Sequence, residues 1–369
     1  MSIDIGIIGL PKSGRTTVFN ALTKGTVDTA SYRRETLAPH IGVAKVPDPR
    51  LVALTEMFHP KKTTPAEVRY LDISASLKDL AKDKGIGGEL LNQLSTVDAL
   101  INVARAFADD SVPHPSGSLD IGRDIDSMNM ELAFSDLVLL ERRLERIATS
   151  LKGAPVSERQ ALIREQELMA RIKEGLEKEM PVREMTFSPE EAKLLNNYQL
   201  LTAKPLLIIV NIGEEGLTGA AALEAELKAR FARPKCNLVS LCGRLEMEIA
   251  ELDDAAAKDM LASFSIKESG LERAIKFSYD LLGLVTFLTV GEDEVKAWVI
   301  PAGTKAPRAA GTIHNDFERG FIKAEVIGFD DFIACGGTLA AAKAAGKLRL
   351  EGKEYIVRDG EIINFRFNI

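Results

Sequence analysis

Apolar positions along this chain change their spacing three times. The run "IDIGIIG" from Ile3 to Gly9 is continuous, short and β-branched, which predicts a strand, and Thr16 to Thr23 follows with Val18, Phe19 and Leu22 on one helical side. Further apolar strands are predicted at "AEVRYLDI" (66–73), "ALINVARAF" (99–107) and "KPLLIIVN" (204–211). Continuous apolar runs alternating with helical segments predict an α/β fold built on a mostly parallel sheet covered on both faces. From Asn129 to Leu200 the strand-like runs stop. Leu137, Leu140, Leu144, Ile147 and Leu151 step by three and four, and Met169, Ile172 and Leu176 do the same after the break "KGAPVS". That pattern predicts an antiparallel helical hairpin, a coiled-coil insertion between two strands of the sheet.

After Gly283 the period falls to two. "LVTFLTVGEDEVKAWVI" reads as two alternating strands around an acidic turn, and "EYIVRDGEIINFRFNI" as a terminal hairpin turning at Asp359-Gly360. Helices are predicted at "NDFERGFIKAEVI" and at the alanine-rich "GTLAAAKAAGK". The expected division is therefore a sheet domain from 1–128 and 201–282, a helical insertion at 129–200, and a small mixed β domain at 283–369.

Length supports that division, since 369 residues exceed one comfortable core. Hydrophobic content of 46% with 27% charged residues is ordinary for a globular chain, and no run approaches the roughly 18 apolar residues needed to cross a bilayer. The apolar N-terminus lacks the basic flank and cleavage site of a signal peptide, so a cytoplasmic protein with no membrane partner is expected. Three cysteines without a CxxC pair support neither a disulfide framework nor a zinc site. A net charge of −7 argues against bulk electrostatic binding to nucleic acid, so an RNA partner would have to be met locally. Over residues 140–184 basic and acidic residues nearly balance, which fits a solvated face or an interaction arm.

The chemistry is concentrated in "GLPKSGRT" (9–16), which matches the phosphate-loop pattern Gly-x-x-x-x-Gly-Lys-[Ser/Thr] at every fixed position except Arg15. Gly9 and Gly14 allow a backbone curl whose N–H groups point inward, the following helix adds its dipole, and Thr16 offers a hydroxyl for Mg²⁺. Pro11, Lys12, Ser13 and Thr17 complete the candidate phosphate cradle. Arg15 keeps the positive charge, but its wide planar fork does not fit where a lysine ammonium reaches between phosphates. Weakened or altered catalysis is expected more than lost phosphate affinity.

With "GIIGLPKSGRTTVFNALT", the "VPDPRL" at 46–51, and the C-terminal "GTIHNDFERGFIKAEVI" and "EGKEYIVRDGEIINFRFN", the chain resembles the YchF subfamily of Obg-like P-loop ATPases along essentially its whole length. The resemblance implies that the final domain is a TGS (β-grasp) domain. It places Thr36 where a switch threonine meets metal and γ-phosphate, and Asp72 in "LDISAS" where a strand-end aspartate holds the Mg²⁺ shell. Ala75 stands where the family has glycine, and Ser76 where Ras-like GTPases have the water-orienting glutamine. It also implies a hydrolytic role for His114, here flanked by Pro113 and Pro115; imidazole suits that task near neutral pH.

At the end of "LLIIVN", Asn211, Ile212 and Glu214 take the place of the guanine-reading Asn-Lys-x-Asp, and losing both lysine and aspartate removes guanine selectivity and favours ATP over GTP. The resemblance also places Ser240, Cys242 and Gly243 where the family closes the base pocket with backbone groups. The implied function is that of an adenine-preferring NTPase, monomeric, with slow or impaired hydrolysis coupled to the ribosome or its RNA through the TGS domain and helical arm. The alternative is a degenerate paralogue acting as a nucleotide-independent scaffold.

Overall fold

The computed structural model describes residues 3–25, 40–73 and 88–368. Thr36, Ala75 and Ser76 lie outside them. The chain forms two compact units, one of residues 4–43 and 69–277, the other of 1–3, 44–68 and 278–369.

The first sheet contains β1 (Asp4–Ile8), β2 (His40–Lys45), β4 (Glu67–Asp72), β5 (Ala99–Ala106), β6 (Leu206–Ile212) and β7 (Cys236–Leu241) in the order β2-β4-β1-β5-β6-β7. β1 lies parallel to β4 and β5, and β6 parallel to β5 and β7. Every residue of β6 and all but the last of β5 are buried, as central strands covered on both faces require. Chain order reverses at β1, so the carboxyl ends of β1 and its neighbours open the crevice in which such sheets bind ligands. Helix α1 (Arg15–Thr23) leaves the end of β1 and runs beside α8 (Gly243–Ala250).

The hairpin consists of α4 (Ile121–Leu151) and α5 (Val156–Glu177). Of the expected apolar seam, Leu140, Ile147, Met169, Ile172 and Leu176 are buried, and Leu137, Leu144 and Leu151 pack half-buried against them. Each fully buried aliphatic side chain contributes about 1.5–3 kcal/mol. α4 starts eight residues before the expected insertion. Its first turns carry Ile125, Met128 and Leu132 into the sheet's own core, so sheet cover and arm are one continuous helix. Asp136 fixes the base of the arm: Oδ1 accepts from the Leu201 amide at 2.8 Å, and Oδ2 accepts from the Thr202 amide at 2.8 Å and hydroxyl at 2.6 Å. Burial nevertheless pushes its carboxyl up to about 6.

In the second unit the sheet order is β11-β10-β12-β8-β9-β3, from β3 (Lys62–Thr64), β8 (Leu284–Thr289), β9 (Glu294–Pro301), β10 (Phe321–Gly328), β11 (Arg349–Glu351) and β12 (Glu361–Phe367). β8 and β9 form the expected antiparallel pair, and β3 adds to β9 in parallel. Two expectations are corrected. The helix predicted over 315–327 covers only Asn315–Arg319, and the rest is β10. A bulge between Phe321 and Lys323 puts buried Phe321 and Ala324 three apart, which imitates helical spacing. The terminal hairpin does not form either. β12 pairs with β10 and runs parallel to β8, while Asp359 accepts the Thr286 amide through Oδ1 at 2.8 Å and the Gly360 amide donates to the Thr286 carbonyl.

The "VPDPRL" motif belongs to this unit. Asp48 caps helix α2 (Pro49–Phe58) by accepting from the Arg50 amide, and Arg50 pairs with Asp48 at 2.9 Å and Asp359 at 2.6 Å.

Candidate functional site

The loop from Gly9 to Gly14 is shaped by what its glycines avoid. A Cβ on Gly9 would lie 2.7 Å from the Val103 carbonyl oxygen, and Gly14 has φ +83° with a Cβ position 2.2 Å from Asn211 Nδ2. A side chain at Gly9 would have to move backbone, and one at Gly14 would displace the Asn211 amide and strain a left-handed φ. Gly14 supplies no side-chain cap to α1, and the first turn of that helix carries no acid, which leaves its dipole turned toward an anion. Ser13 Oγ is buried and has no hydrogen-bond partner among the described residues, a cost of about 1–3 kcal/mol that a ligand oxygen would relieve. Pro11 and Lys12 are exposed, with Lys12 Nζ donating to the Pro113 carbonyl at 3.3 Å. Thr17 is half-buried.

Asn211, at the end of β6, binds this loop to the next one. Its Nδ2 donates to the Ser13 carbonyl at 3.0 Å and its Oδ1 accepts from the Gly243 amide at 2.9 Å, with the residue 4% exposed. Sequence reasoning placed Asn211 against the base; here its amide holds the phosphate loop and the start of α8 together. Ile212 is buried and Glu214 is exposed. Ser240 turns elsewhere, its amide and hydroxyl both donating to Glu224 Oε2 at 2.8 and 2.9 Å. With Cys242, whose thiol burial pushes up, Ser240 lines a cavity of about 540 Å³ beside α7 (Ala220–Phe231) that takes in no residue of the phosphate loop.

At the end of β4, Asp72 is fully buried. Arg15 Nε donates to its Oδ1 at 2.7 Å and Thr16 Oγ1 to its Oδ2 at 3.0 Å. Hydroxyl and carboxylate are hard oxygen donors, and their adjacency fits Mg²⁺, which takes one or two protein oxygens and completes its octahedron with phosphate and water. No group of three or more His, Cys, Asp or Glu able to hold a metal exists among the described residues, so an all-protein cage is not on offer there.

His114 is anchored. Its Nδ1 accepts the Ser116 amide at 3.1 Å and therefore carries no proton, so Nε2–H donates to Asp124 Oδ2 at 2.8 Å. Both side chains are buried, at 6% and 4% exposure, and Arg123 donates through Nε and Nη2 to the other oxygen of Asp124. Buried Arg105 holds the same loop through the carbonyls of Phe107 at 3.0 Å and Val112 at 2.8 Å. Sequence reasoning missed Arg105 and Asp124. An arginine inside the apolar run of β5 was the available signal for the first.

A family model described as 50S ribosome-binding GTPase matches residues 4–133, and the YchF-GTPase C-terminal model, described as a protein of unknown function, matches 284–368. "Ribosome-binding ATPase YchF" of Bacillus subtilis is 42% identical over 100% of both chains, and its namesake in Escherichia coli O157:H7 is 38% identical over 100% of both. The chain belongs to the YchF family. A solved Schizosaccharomyces pombe YchF GTPase superposes with a TM-score of 0.84 at 31% identity, over 99% of this chain and 98% of that one. The YchF fold, a P-loop GTPase-type domain joined to a C-terminal domain, is thus the fold of this chain. None of its described helices is long and apolar enough to cross a membrane.

Proposed function

We propose that this YchF protein is a Mg²⁺-dependent nucleotide-binding protein that prefers ATP to GTP, hydrolyses it slowly, and associates with the ribosome. The observation that carries the nucleotide site is Asn211 tying Ser13 to Gly243 across a loop whose glycines exclude any Cβ. A cradle held this way is preorganised for a polyphosphate. Thr16 and Asp72 would hold Mg²⁺, which would supply positive charge to offset that of the phosphates. Thr36 is proposed to join them on the γ-phosphate side. The adenine preference rests on Glu214, exposed and without the lysine two residues earlier that a guanine reader carries. Ribosome association rests on relatives named for it over full length.

Slow turnover has a geometric basis. In the arrangement seen here both ring nitrogens of His114 are engaged, so the imidazole offers water no lone pair. Asp124→Ala removes the acceptor that holds Nε2–H, so the ring is free to turn and the Nδ1 lone pair can leave the Ser116 amide for water. A hydrogen bond to a charged group is worth about 1.5–3 kcal/mol, so phosphate release is expected to rise by roughly ten- to a hundredfold. The rise is expected to vanish in the double variant with His114→Ala; its persistence there would remove His114 from hydrolysis.

Titration with labelled ATP and GTP in Mg²⁺, followed by phosphate release, tests the reading as a whole. ATP is expected to bind at least about tenfold more tightly, a difference of about 1.4 kcal/mol. A preference for GTP overturns the role given to Glu214, and binding of neither nucleotide overturns the site.

A further inference from the structure

Pro11 and Lys12 are the central residues of a turn inside the phosphate loop, closed by the Ser13 amide donating to the Leu10 carbonyl at 3.2 Å. Proline suits the first of these places. Lys12 takes the second with φ +66°, in the left-handed region where such a turn favours glycine or asparagine. Backbone held in this way collects at ligand-binding loops, where the surrounding structure maintains it. Here the strained position carries a long, flexible cation.

That cation is lightly held. Lys12 is exposed, makes no ion pair to any described residue, and gives one hydrogen bond among them, from Nζ to the Pro113 carbonyl at 3.3 Å. The other cation of the loop is committed elsewhere, since Arg15 Nε lies 2.7 Å from buried Asp72. Pro113 immediately precedes His114, whose ring is held on Asp124. Two side chains therefore grip this segment from opposite ends of the site: Arg105, from within the sheet, through the carbonyls of Phe107 and Val112, and Lys12, from the phosphate loop, through that of Pro113. Only the second belongs to an element that would itself touch a nucleotide.

We propose that Lys12 is a nucleotide-operated tie: its ammonium holds the His114 segment through the Pro113 carbonyl, and moves to the phosphate tail when nucleotide enters, loosening that segment. The exchange is favourable because an ammonium-to-phosphate hydrogen bond is charge-assisted, shorter and about twice as strong as one to a neutral carbonyl. The contact it replaces is exposed and lies beyond the usual 2.7–3.2 Å range for an N–H donor, by about 0.1 Å. A flexible stem rooted in the loop keeps Nζ within reach of what the loop holds. The proposal rests on the nucleotide reading above. It adds a mobile second cation to the cradle and a route by which occupancy of the loop reaches a histidine otherwise pinned by Asp124.

The test uses the full chain with Lys12→Met, which keeps an unbranched side chain without charge or donor, and Lys12→Arg, which keeps both. Amide hydrogen exchange over residues 110–118 is measured with and without Mg²⁺ and a non-hydrolysable ATP analogue, together with the affinities for that analogue and for adenosine. In the parent chain the analogue is expected to speed exchange there about two- to tenfold, as the loss of one ordinary hydrogen bond would. In Lys12→Met exchange is expected to be that fast without nucleotide and to stay so when the analogue is added. The same variant is expected to bind the analogue about tenfold more weakly and adenosine equally well. Lys12→Arg is expected to respond as the parent chain does.

If the parent chain binds the analogue while exchange over the segment stays the same or slows, the ammonium is not released and the proposal falls, although the nucleotide site stands. If Lys12→Met without nucleotide exchanges as slowly as the parent chain, Lys12 does not hold the segment and the proposal falls in the same way. If the parent chain does not bind the analogue, the nucleotide reading itself fails and takes the tie with it, and the affinity measurement sets that case apart from the other two.

Discussion

Asn211→Ala is expected to weaken ATP binding by about a hundredfold or more and to lower stability by about 2–6 kcal/mol. The change deletes two hydrogen bonds and leaves the Ser13 carbonyl and the Gly243 amide without the partner that joins them. Each buried group so stranded costs about 1–3 kcal/mol. The larger consequence is geometric. Gly14 approaches so closely that no Cβ fits against Asn211 Nδ2, and Gly243 packs with its own Cβ position 3.0 Å from Oδ1. Without the amide the loop and α8 are free to separate, and the ordering that the native loop provides must then come out of nucleotide binding. Asn211→Asp is the informative companion. It keeps the acceptor for Gly243 but sets a carboxylate oxygen against the Ser13 carbonyl, so it is expected to be at least as damaging. Titration with ATP and urea unfolding measure both effects. An alanine variant that binds within threefold of the parent chain would show that Asn211 does not organise the cradle.

The same residue shows how far the sequence could be read. Its position after the apolar run of β6 was legible, as was the phosphate loop, because both follow from short-range spacing and strand-end placement. Its partners were not, since they lie 198 and 32 positions away. β3 illustrates the same limit in the fold. Three residues, Lys62–Thr64, pair with a strand more than 200 positions later, and no local periodicity reports such a choice. The β10 bulge misled for a different reason, by inserting one residue and turning a period of two into a step of three. At the site, Asp124 was invisible because an aspartate in the first turn of a helix is ordinary helix chemistry, and only the fold brings His114 back onto it.

Arg15 is where altered sequence and observed geometry meet, and Arg15→Lys is expected to raise Mg²⁺-dependent ATP hydrolysis by roughly tenfold or more. In this structure the guanidinium lies on Asp72, Nε to Oδ1 at 2.7 Å, with the two side chains 12% and 0% exposed. The same carboxylate is the residue proposed above to organise Mg²⁺ with Thr16. One cation therefore has two competing duties, to neutralise a buried aspartate and to meet phosphate, and a rigid planar fork cannot do both from one rotamer. A lysine ammonium is compact, and its three donors rotate freely, so it can leave Asp72 for the phosphates at lower cost.

Arg15→Ala separates the two duties. Removing one partner of a buried pair costs about 3–5 kcal/mol, so melting is expected to fall by about 10 °C. ATP affinity is expected to fall as well, because no cation remains at that position of the loop. Should the alanine variant melt lower yet bind ATP as tightly as the parent chain, Arg15 serves Asp72 alone and the loop amides grip the phosphates without it. A lysine variant whose turnover and Mg²⁺ requirement stay within twofold would place the slow step elsewhere, with His114 held on Asp124 the remaining brake.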